Sequence, residues 1–376
     1  MYTVQQVVRL LGVDAPVVND HLVEHLLIDS RRAFSPAHSL FFAITTSQRN
    51  GHDFIADLYQ KGVRSFVITQ NLDAVSFPLA NFIKVTDAVT ALQKLAAAHR
   101  SQFSIPVIGI TGSNGKTIVK EWLFQLLQAD FKIVRSPKSF NSQLGVPLSV
   151  WEIKPHHQLA IFEAGISQPD EMERLEKIIQ PTIGVFTNIG DAHREGFGSM
   201  EEKEKEKRKL FVRAPIAPPL TLVSVESDAG FSIIKAKGSL LPTGGAIQIP
   251  FTDAASIQNA IRCWEILLLL KIPMSTIVER MKFLTPVDMR LSLKKGVHHC
   301  QLINDSYSAD LSSLEIALSF LKQQAGSLKR TVILSDFMQT GETTGELYAR
   351  INAMLTQVPV SRLITIGPVI GAAFLH

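Results

Sequence analysis

Cysteine is almost missing: Cys263 and Cys300 are the only two in 376 residues, which provides neither a disulfide framework nor the paired spacing of a zinc site. Long apolar runs are missing as well. The longest, around "WEILLLLKIP", is interrupted by Glu265 and Lys271 and falls well short of a bilayer span. The opening stretch "MYTVQQVVRLLGVD" has neither a basic segment nor a long apolar core, so no secretory signal is expected in it. Nor is there an excess of one charge: 38 Lys and Arg stand against 34 Asp and Glu, intermixed, a net +4 that argues against a nucleic-acid surface and suits a small anionic ligand equally well. No internal repeat occurs, and the one biased segment is the charge run "EEKEKEKRK". The expectation is a reduced, cytoplasmic protein with no nucleic-acid partner and no membrane span.

What is present is an ordinary globular composition, 46% hydrophobic and 19% charged, in a chain long enough for two or three cores. Short β-rich runs alternate with helical patterns, the mark of an α/β fold with parallel sheets. Three blocks emerge. Residues 1–98 hold the strands "SLFFAI" and "VRSFVIT", the helix "HDFIADLYQKG" closed by Gly62, and the helix "DAVTALQKLAAAHRSQ" at the boundary. Residues 99–286 begin at the strand "PVIGI", continue with "HQLAIFEAG", "TIGVFTNIG" and "LTLVSV" as further strands, and close with the helix "SIQNAIRCWEILLLLK". Residues 287–376 contain "RLSLKKGVHHCQLINDSY", a helix, the strand "RTVILSD", another helix and the strand "RLITIG".

The chemistry concentrates where "PVIGI" ends, in "TGSNGKT". A glycine-rich turn between a strand and a helix leaves backbone N–H groups converging at the positive end of the helix dipole, a natural place for phosphate. The full Walker spacing would need Gly where Ile110 stands, so the match is to the shorter form Gly112, Ser113, Asn114, Gly115, Lys116 and Thr117, supported by its strand-turn-helix setting. In that form Lys116 neutralises the β- and γ-phosphates of a nucleotide, Thr117 offers its hydroxyl to Mg²⁺, and N–H groups from Ser113 to Lys116 cradle oxygens. An ordinary glycine-rich βα turn is the alternative.

In open parallel sheets ligands gather at the carboxyl ends of strands. "LAIFE" ends there in Glu163, which could hold a hard cation or merely cap the next helix, and "IGVFTNIGDAH" leads to Asp191 and His193. A lone histidine in a loop is more often a supporting residue than a magnesium ligand. The run "MEEKEKEKRKLF" reads, on periodicity, as a solvated helix laced with i,i+4 pairs, and periodicity singles out none of its lysines.

The ordered series "GITGSNGKT", "FEAGISQPDEM", "TNIGDAHREGFGSMEEKEKEKRKLF", "MRLSL" and "LINDSYSAD" resembles the Mur ligase family, and "DSRR", "SLFFAI" and "RNGHDFI" resemble the uridine-nucleotide domain of its D-alanyl-D-alanine-adding branch. The resemblance covers essentially the whole chain. It implies a three-domain architecture: a UDP-substrate domain, a central P-loop ATPase domain with a parallel sheet, and a truncated Rossmann-like third domain. It implies an ATP-dependent amide ligase that joins D-alanyl-D-alanine to UDP-N-acetylmuramoyl-tripeptide through an acyl phosphate, in peptidoglycan precursor synthesis. Carried over by position, Ser30 and Arg31 contact the UDP moiety, Asn50, Gly51 and His52 form a neighbouring substrate loop, and Asn141 lies in a substrate segment. Gly112 to Thr117 hold ATP, Thr117, Glu163 and His193 hold magnesium, and Lys207, as a carbamate, helps hold a second magnesium. Asn259 meets adenine, and Arg290, Asp305 and Tyr307 reach the nucleotide from the third domain.

The sequence also departs from the family. Met289 replaces a usual glycine, and Ser308, Asp310 and Leu311 break the pattern Asp-Ser-Tyr-Asn-Ala-Asn-Pro, which weakens the contacts assigned to the third domain. The family's third domain runs on for a few more strands, and ligases of this kind occur fused to an alanine racemase, so the resemblance admits a fused racemase domain beyond residue 376. Two other classes stay open: another Mur-type amino-acid ligase, against whose folate branch "DSRR" and "NGHDF" argue, and a non-catalytic Mur-like nucleotide-binding module.

Overall fold

The computed structural model describes residues 1–190, 196–228, 230–307, 309–326, 328–337 and 342–374. The chain divides into two compact units, residues 1–105, 136–157 and 174–180 in one, and 106–135, 158–173 and 181–376 in the other.

The first unit opens with β1 (Tyr2–Thr3), α1 (Val4–Leu11) and β2 (Leu22–Val23). Its sheet is built from β3 (His25–Leu27), β4 (Ser39–Phe42), β5 (Ser65–Ile68) and β6 (Asn81–Lys84), paired in parallel in that order. Every residue of β4 and β5 is buried, as expected of parallel strands covered on both faces, and this explains why each is apolar after its first serine. Helices α2 (Ile55–Gln60) and α3 (Ala88–Arg100) belong here too, with α5 (Gly145–Trp151) contributed by a later segment. Asp87 caps α3 by accepting from Thr90 N–H, and Gly62, at φ +103°, takes the left-handed backbone beyond α2.

In this unit His99 is nearly fully buried, its ring tilted against that of Trp151 with centroids 4.7 Å apart. Its Nε2–H donates to the Ile153 carbonyl at 3.0 Å, so Nδ1 is the acceptor for the Tyr2 hydroxyl at 2.9 Å. Burial pushes its pKa down to about 4. The unfolded chain therefore takes up a proton near pH 6.5 that the folded one refuses until about pH 4, and stability falls as pH drops through that window. Denaturant titrations at pH 7 and 4.5 should show the wild type losing about 2–3 kcal/mol more than His99→Gln, whose amide cannot titrate; equal losses would remove His99 as a source of acid sensitivity.

The second unit centres on β7 (Val107–Thr111), followed by α4 (Lys116–Leu127), β8 (Ile133–Arg135), β9 (Leu159–Glu163), α6 (Glu171–Ile179, whose later residues belong to the first unit) and β10 (Ile183–Phe186). The sheet order is β10, β7, β9, β8, all parallel, so β7 lies inside and its carboxyl end faces the ligand edge. α4 buries Val119, Trp122, Leu123, Leu126 and Leu127, the 3–4 spacing of one helical face. Helix α7 (Met200–Arg208) follows, then β11 (Thr221–Asp228), β12 (Phe231–Gly238) and β13 (Leu241–Ile249).

The strand expected at "LTLVSV" is present, and it lies outside the parallel sheet. It forms β11 of a separate antiparallel sheet with β12 and β13. No helix separates these strands, and a parallel return needs a crossover of a dozen residues or more, so a meander is the available pairing.

Helices α8 (Ala254–Leu269) and α9 (Met274–Met281) complete the core of this region. The remaining segment forms the hairpin β14 (Ser292–Lys295) and β15 (Gln301–Asn304), helix α10 (Leu311–Ala325), β16 (Thr331–Ser335), α11 (Thr344–Gln357), β17 (Arg362–Ile366) and α12 (Pro368–Ala373). β16 and β17 pair in parallel over a cluster containing Leu314, Leu318, Leu347, Ile351 and Ile370. Among the described residues, no helix is long and apolar enough to cross a membrane.

Candidate functional site

The turn from β7 to α4 has little room for side chains. Gly112 (φ +142°) and Gly115 (φ +82°) both take backbone conformations that favour glycine, and a Cβ at Gly112 would lie 2.0 Å from Thr187 Oγ1, one at Gly115 2.4 Å from Asn259 Oδ1. Asn259, on α8, is thus packed directly against the turn. The segment after β10 holds the turn's other side. Asn188 accepts from Ser113 N–H (2.9 Å) through its carbonyl and from Asn114 N–H (2.8 Å) through its side chain, and the Thr187 hydroxyl donates to the Asn114 carbonyl. These two N–H groups were expected to cradle a ligand; here they fix the loop instead. Donors for a ligand come from the first turn of α4, where N–H groups lack intrahelical partners and the dipole is positive.

Cations converge on the same turn. Lys116 folds back so that Nζ donates to the carbonyls of Gly112 and Ser113, each at 2.9 Å. Lys207, 2% exposed on α7, donates to the Gly112 carbonyl at 3.2 Å. Lys203, one turn earlier and fully buried, donates to the Gly190 carbonyl. Burial, aided by Arg290 and Lys203 and opposed by Glu163 and Asp310, pushes Lys116 down to about 8. Lys207 falls well below the ordinary lysine range through burial and then through the charges of Lys116 and Lys203.

Opposite these cations stands Glu163, the fully buried last residue of β9. Its Oε2 accepts from Thr117 Oγ1 at 3.1 Å and its Oε1 lies 3.0 Å from Lys120 Nζ. A hydroxyl and a carboxylate side by side are the hard oxygen donors magnesium prefers when phosphate and water complete its shell. His193, with Asp191 beside it, lies outside the described residues, as does Ser308. Among the described residues no group of three His, Cys, Asp or Glu side chains is placed to hold a metal.

From the last segment, Arg290 brings Nη2 to 3.4 Å from Thr117 Oγ1 and lies over the Tyr307 ring, 3.7 Å from its centroid. Asp305 accepts from Leu291 N–H at 3.0 Å, and burial pushes it up to about 6. The departures in this segment have structural roles. Asp310 is the N-cap of α10, accepting from Ser313 N–H, and Leu311 is buried in the core below it. Ser312 then accepts from Asn114 Nδ2 at 2.9 Å, tying α10 to the glycine turn. Met289 keeps a left-handed backbone, φ +59°, the conformation a glycine would adopt without strain.

In the first unit, Ser30 and Arg31 follow β3 and Asn50, Gly51 and His52 follow β4, both at carboxyl ends of the parallel sheet. Arg31 is exposed but anchored, its Nε and Nη2 donating to Asp29 at 2.9 and 2.7 Å, and it holds the Asp29 carboxyl down at about 2. His52 is buried, with Nδ1–H donating to Asn50 Oδ1 and Nε2 accepting from Thr69 N–H, so it braces the loops after β4 and β5. Gly51 sits where a Cβ would lie 2.6 Å from Ile44 backbone atoms. Asn141 lies in the segment leading to α5, also in the first unit.

The second unit therefore gathers Gly112 to Thr117, Glu163, Lys207, Asn259 and Arg290 around one turn. Sequence reasoning passed over Lys120, Lys203, Thr187, Asn188 and Ser312. A signal existed for the lysines: 116 and 120, like 203 and 207, are four apart and share a helix face.

Comparison with known proteins adds to this geometry. Residues 110–257 match the model of the Mur ligase middle domain. The chain is 24% identical to the UDP-N-acetylmuramoyl-tripeptide--D-alanyl-D-alanine ligase of Bacillus subtilis (strain 168), over 94% of this chain and 82% of that one. To the ligase of the same name from Rickettsia prowazekii (strain Madrid E) it is 27% identical, over 87% of this chain and 79% of that one. Among solved structures it is similar to MurF from Acinetobacter baumannii, with a TM-score of 0.86 at 23% identity over 99% of this chain and 87% of that one. It is also similar to MurF ligase from Thermotoga maritima in complex with ADP, with a TM-score of 0.75 at 19% identity over 92% and 88%. At these identities the structural likeness carries the fold.

Proposed function

The chain belongs to the Mur ligase family, and on that premise we propose that it is an ATP-dependent amide ligase adding D-alanyl-D-alanine to UDP-N-acetylmuramoyl-tripeptide in peptidoglycan precursor synthesis, a cytoplasmic reaction. The observation that carries this reading is the set of three lysines, Lys116, Lys203 and Lys207, bonded to the backbone of one glycine turn and its neighbour. Like charges on Lys116 and Lys203 repel, and an anion of several charges relieves both, while burial and these two cations hold Lys207 toward the neutral amine that can become a carbamate.

In this reading the first turn of α4 and Lys116 hold the β- and γ-phosphates of ATP, Asn259 meets the adenine, and Arg290, stacked on Tyr307, approaches from the other side with Asp305 supporting its loop. Thr117 and Glu163, with His193, hold magnesium, and Lys207 as a carbamate holds a second ion; when bound, these ions neutralise charge on the phosphate oxygens. The tripeptide carboxylate attacks the γ-phosphorus, an O–P bond forms as the bridging P–O bond breaks, and ADP leaves. The dipeptide amine then attacks the activated carbonyl, phosphate departs and the nitrogen loses its proton. The task of Lys116 and Arg290 is to offset charge along this path rather than to shuttle protons. Residues 1–98, through Ser30, Arg31, Asn50, Gly51 and His52, hold the UDP-linked substrate with help from Asn141; residues 99–286 hold ATP, and residues 287–376 form the first part of the third domain.

Phosphate release measured with each substrate omitted in turn tests the assignment. Release should require both UDP-N-acetylmuramoyl-tripeptide and D-alanyl-D-alanine; release with a single amino acid instead would move the chain to another branch, and none with any amine would make it a binding module. Arg31→Ala should weaken binding of the UDP-linked substrate roughly tenfold or more, since a charge-assisted contact is lost. Calorimetry decides this, and unchanged affinity removes Arg31 from the site.

A further inference from the structure

A further buried cation lies near the glycine turn. Lys120 lies one turn beyond Lys116 on α4 and is fully buried. Its ammonium is 3.0 Å from Glu163 Oε1 and 3.1 Å from Glu121 Oε1. Glu121 is held in turn by Arg135, the last residue of β8, whose Nε donates to Oε2 at 3.1 Å while its guanidinium lies 3.5 Å from the centroid of the Phe124 ring. Charges thus alternate in sign from Glu163 through Lys120 and Glu121 to Arg135.

A fully buried lysine is a poor way to fill a core, because an apolar side chain of similar volume usually serves stability as well or better. Position is what a lysine adds here. The terminal torsion of a glutamate is broad, so a carboxylate with one oxygen engaged can swing. With Lys120 ion-paired to Oε1 and the Thr117 hydroxyl donating to Oε2, the two ends of the carboxylate are drawn to different partners, which favours one rotation of the group.

We propose that Lys120 is the positioning residue of the nucleotide-site cation: it fixes the rotation of Glu163 so that Oε2 and Thr117 Oγ1 present a preformed pair of oxygens to magnesium, and Glu121 with Arg135 anchors Lys120 for that task. This rests on the reading of Glu163 as a magnesium ligand. Second-layer partners of metal ligands typically change metal affinity 10- to 100-fold when removed.

The test titrates Mn²⁺ into the ADP-saturated protein and follows the signal of the protein-bound ion by electron paramagnetic resonance, for the wild type, Lys120→Met, Glu163→Gln and the double variant. Lys120→Met should weaken Mn²⁺ binding about 10- to 100-fold. The double variant should bind no more weakly than Glu163→Gln alone, because Lys120 acts only through Glu163. If Lys120→Met fails to fold once Glu163 has lost this ion pair, the double variant, which has neither charge, carries the comparison with Glu163→Gln. Wild-type affinity in Lys120→Met, or a further loss in the double variant, overturns the inference. Wild-type affinity in Glu163→Gln overturns instead the metal reading on which it rests.

Discussion

Lys116→Ala should slow ligation about a hundred- to a thousandfold while leaving the fold intact. The lysine already donates to two carbonyls of the glycine turn, so its charge is held at the place proposed for the γ-phosphate. Removing one such preorganised charge costs about 3–4 kcal/mol in the transition state, which is two to three orders of magnitude in rate. Stability should hold or rise slightly, because the substitution also removes a cation that Lys207 is repelled by. Phosphate release under saturating substrates, paired with a thermal unfolding curve, gives both numbers. Ligation within a few-fold of wild type would mean that the glycine turn is structural.

The second large effect is expected at Lys207. In "EEKEKEKRK" the structure separates lysines that periodicity leaves equivalent: Lys205 is exposed, Lys209 pairs with Glu206 and Asp170, and Lys207 is buried against the Gly112 carbonyl. An ammonium there would repel magnesium. A carbamate, formed when the neutral amine adds to CO₂ with loss of a proton, is an anion with the oxygen donors magnesium prefers. Burial and the neighbouring cations favour the neutral amine that this addition needs. Lys207→Ala should therefore lose most ligation, about a hundredfold, if the carbamate stabilises transition-state charge as a metal ligand does. Short carboxylic acids added to the assay should restore part of it. Lys205→Ala and Lys209→Ala should stay within about ±0.5 kcal/mol in stability and close to wild-type rate. Equal small effects at all three positions would return the run to a plain charged helix.

The glycine turn was legible because three local signals agree there: the all-buried strand of β7, two glycines, and the amphipathic start of α4. The buried face of α7 was not. Lys203, Glu206 and Lys207 follow i, i+3, i+4 spacing, but they are charged, and a hydrophobic pattern assigns charged residues to solvent. Lys120 was hidden for the same reason. In "DSYSADL" the sequence shows departures from the family pattern but not their local use: Asp310 caps α10 and Leu311 fills the core, serving the helix that reaches Asn114. "LTLVSV" is legible as a strand while its antiparallel sheet is not, since local pattern reports strand propensity but pairing depends on what connects the strands.

The central claim is that a carboxylate is activated by phosphoryl transfer at the turn from Gly112 to Thr117. It is tested most directly by labelling the terminal carboxylate of UDP-N-acetylmuramoyl-tripeptide with ¹⁸O, running the reaction with ATP and D-alanyl-D-alanine, and weighing the released phosphate by mass spectrometry. Attack by the carboxylate on the γ-phosphorus leaves one labelled oxygen in each phosphate after the amine displaces it, and Lys116→Ala should abolish the labelled product along with ligation. Unlabelled phosphate accompanying amide formation would contradict the account.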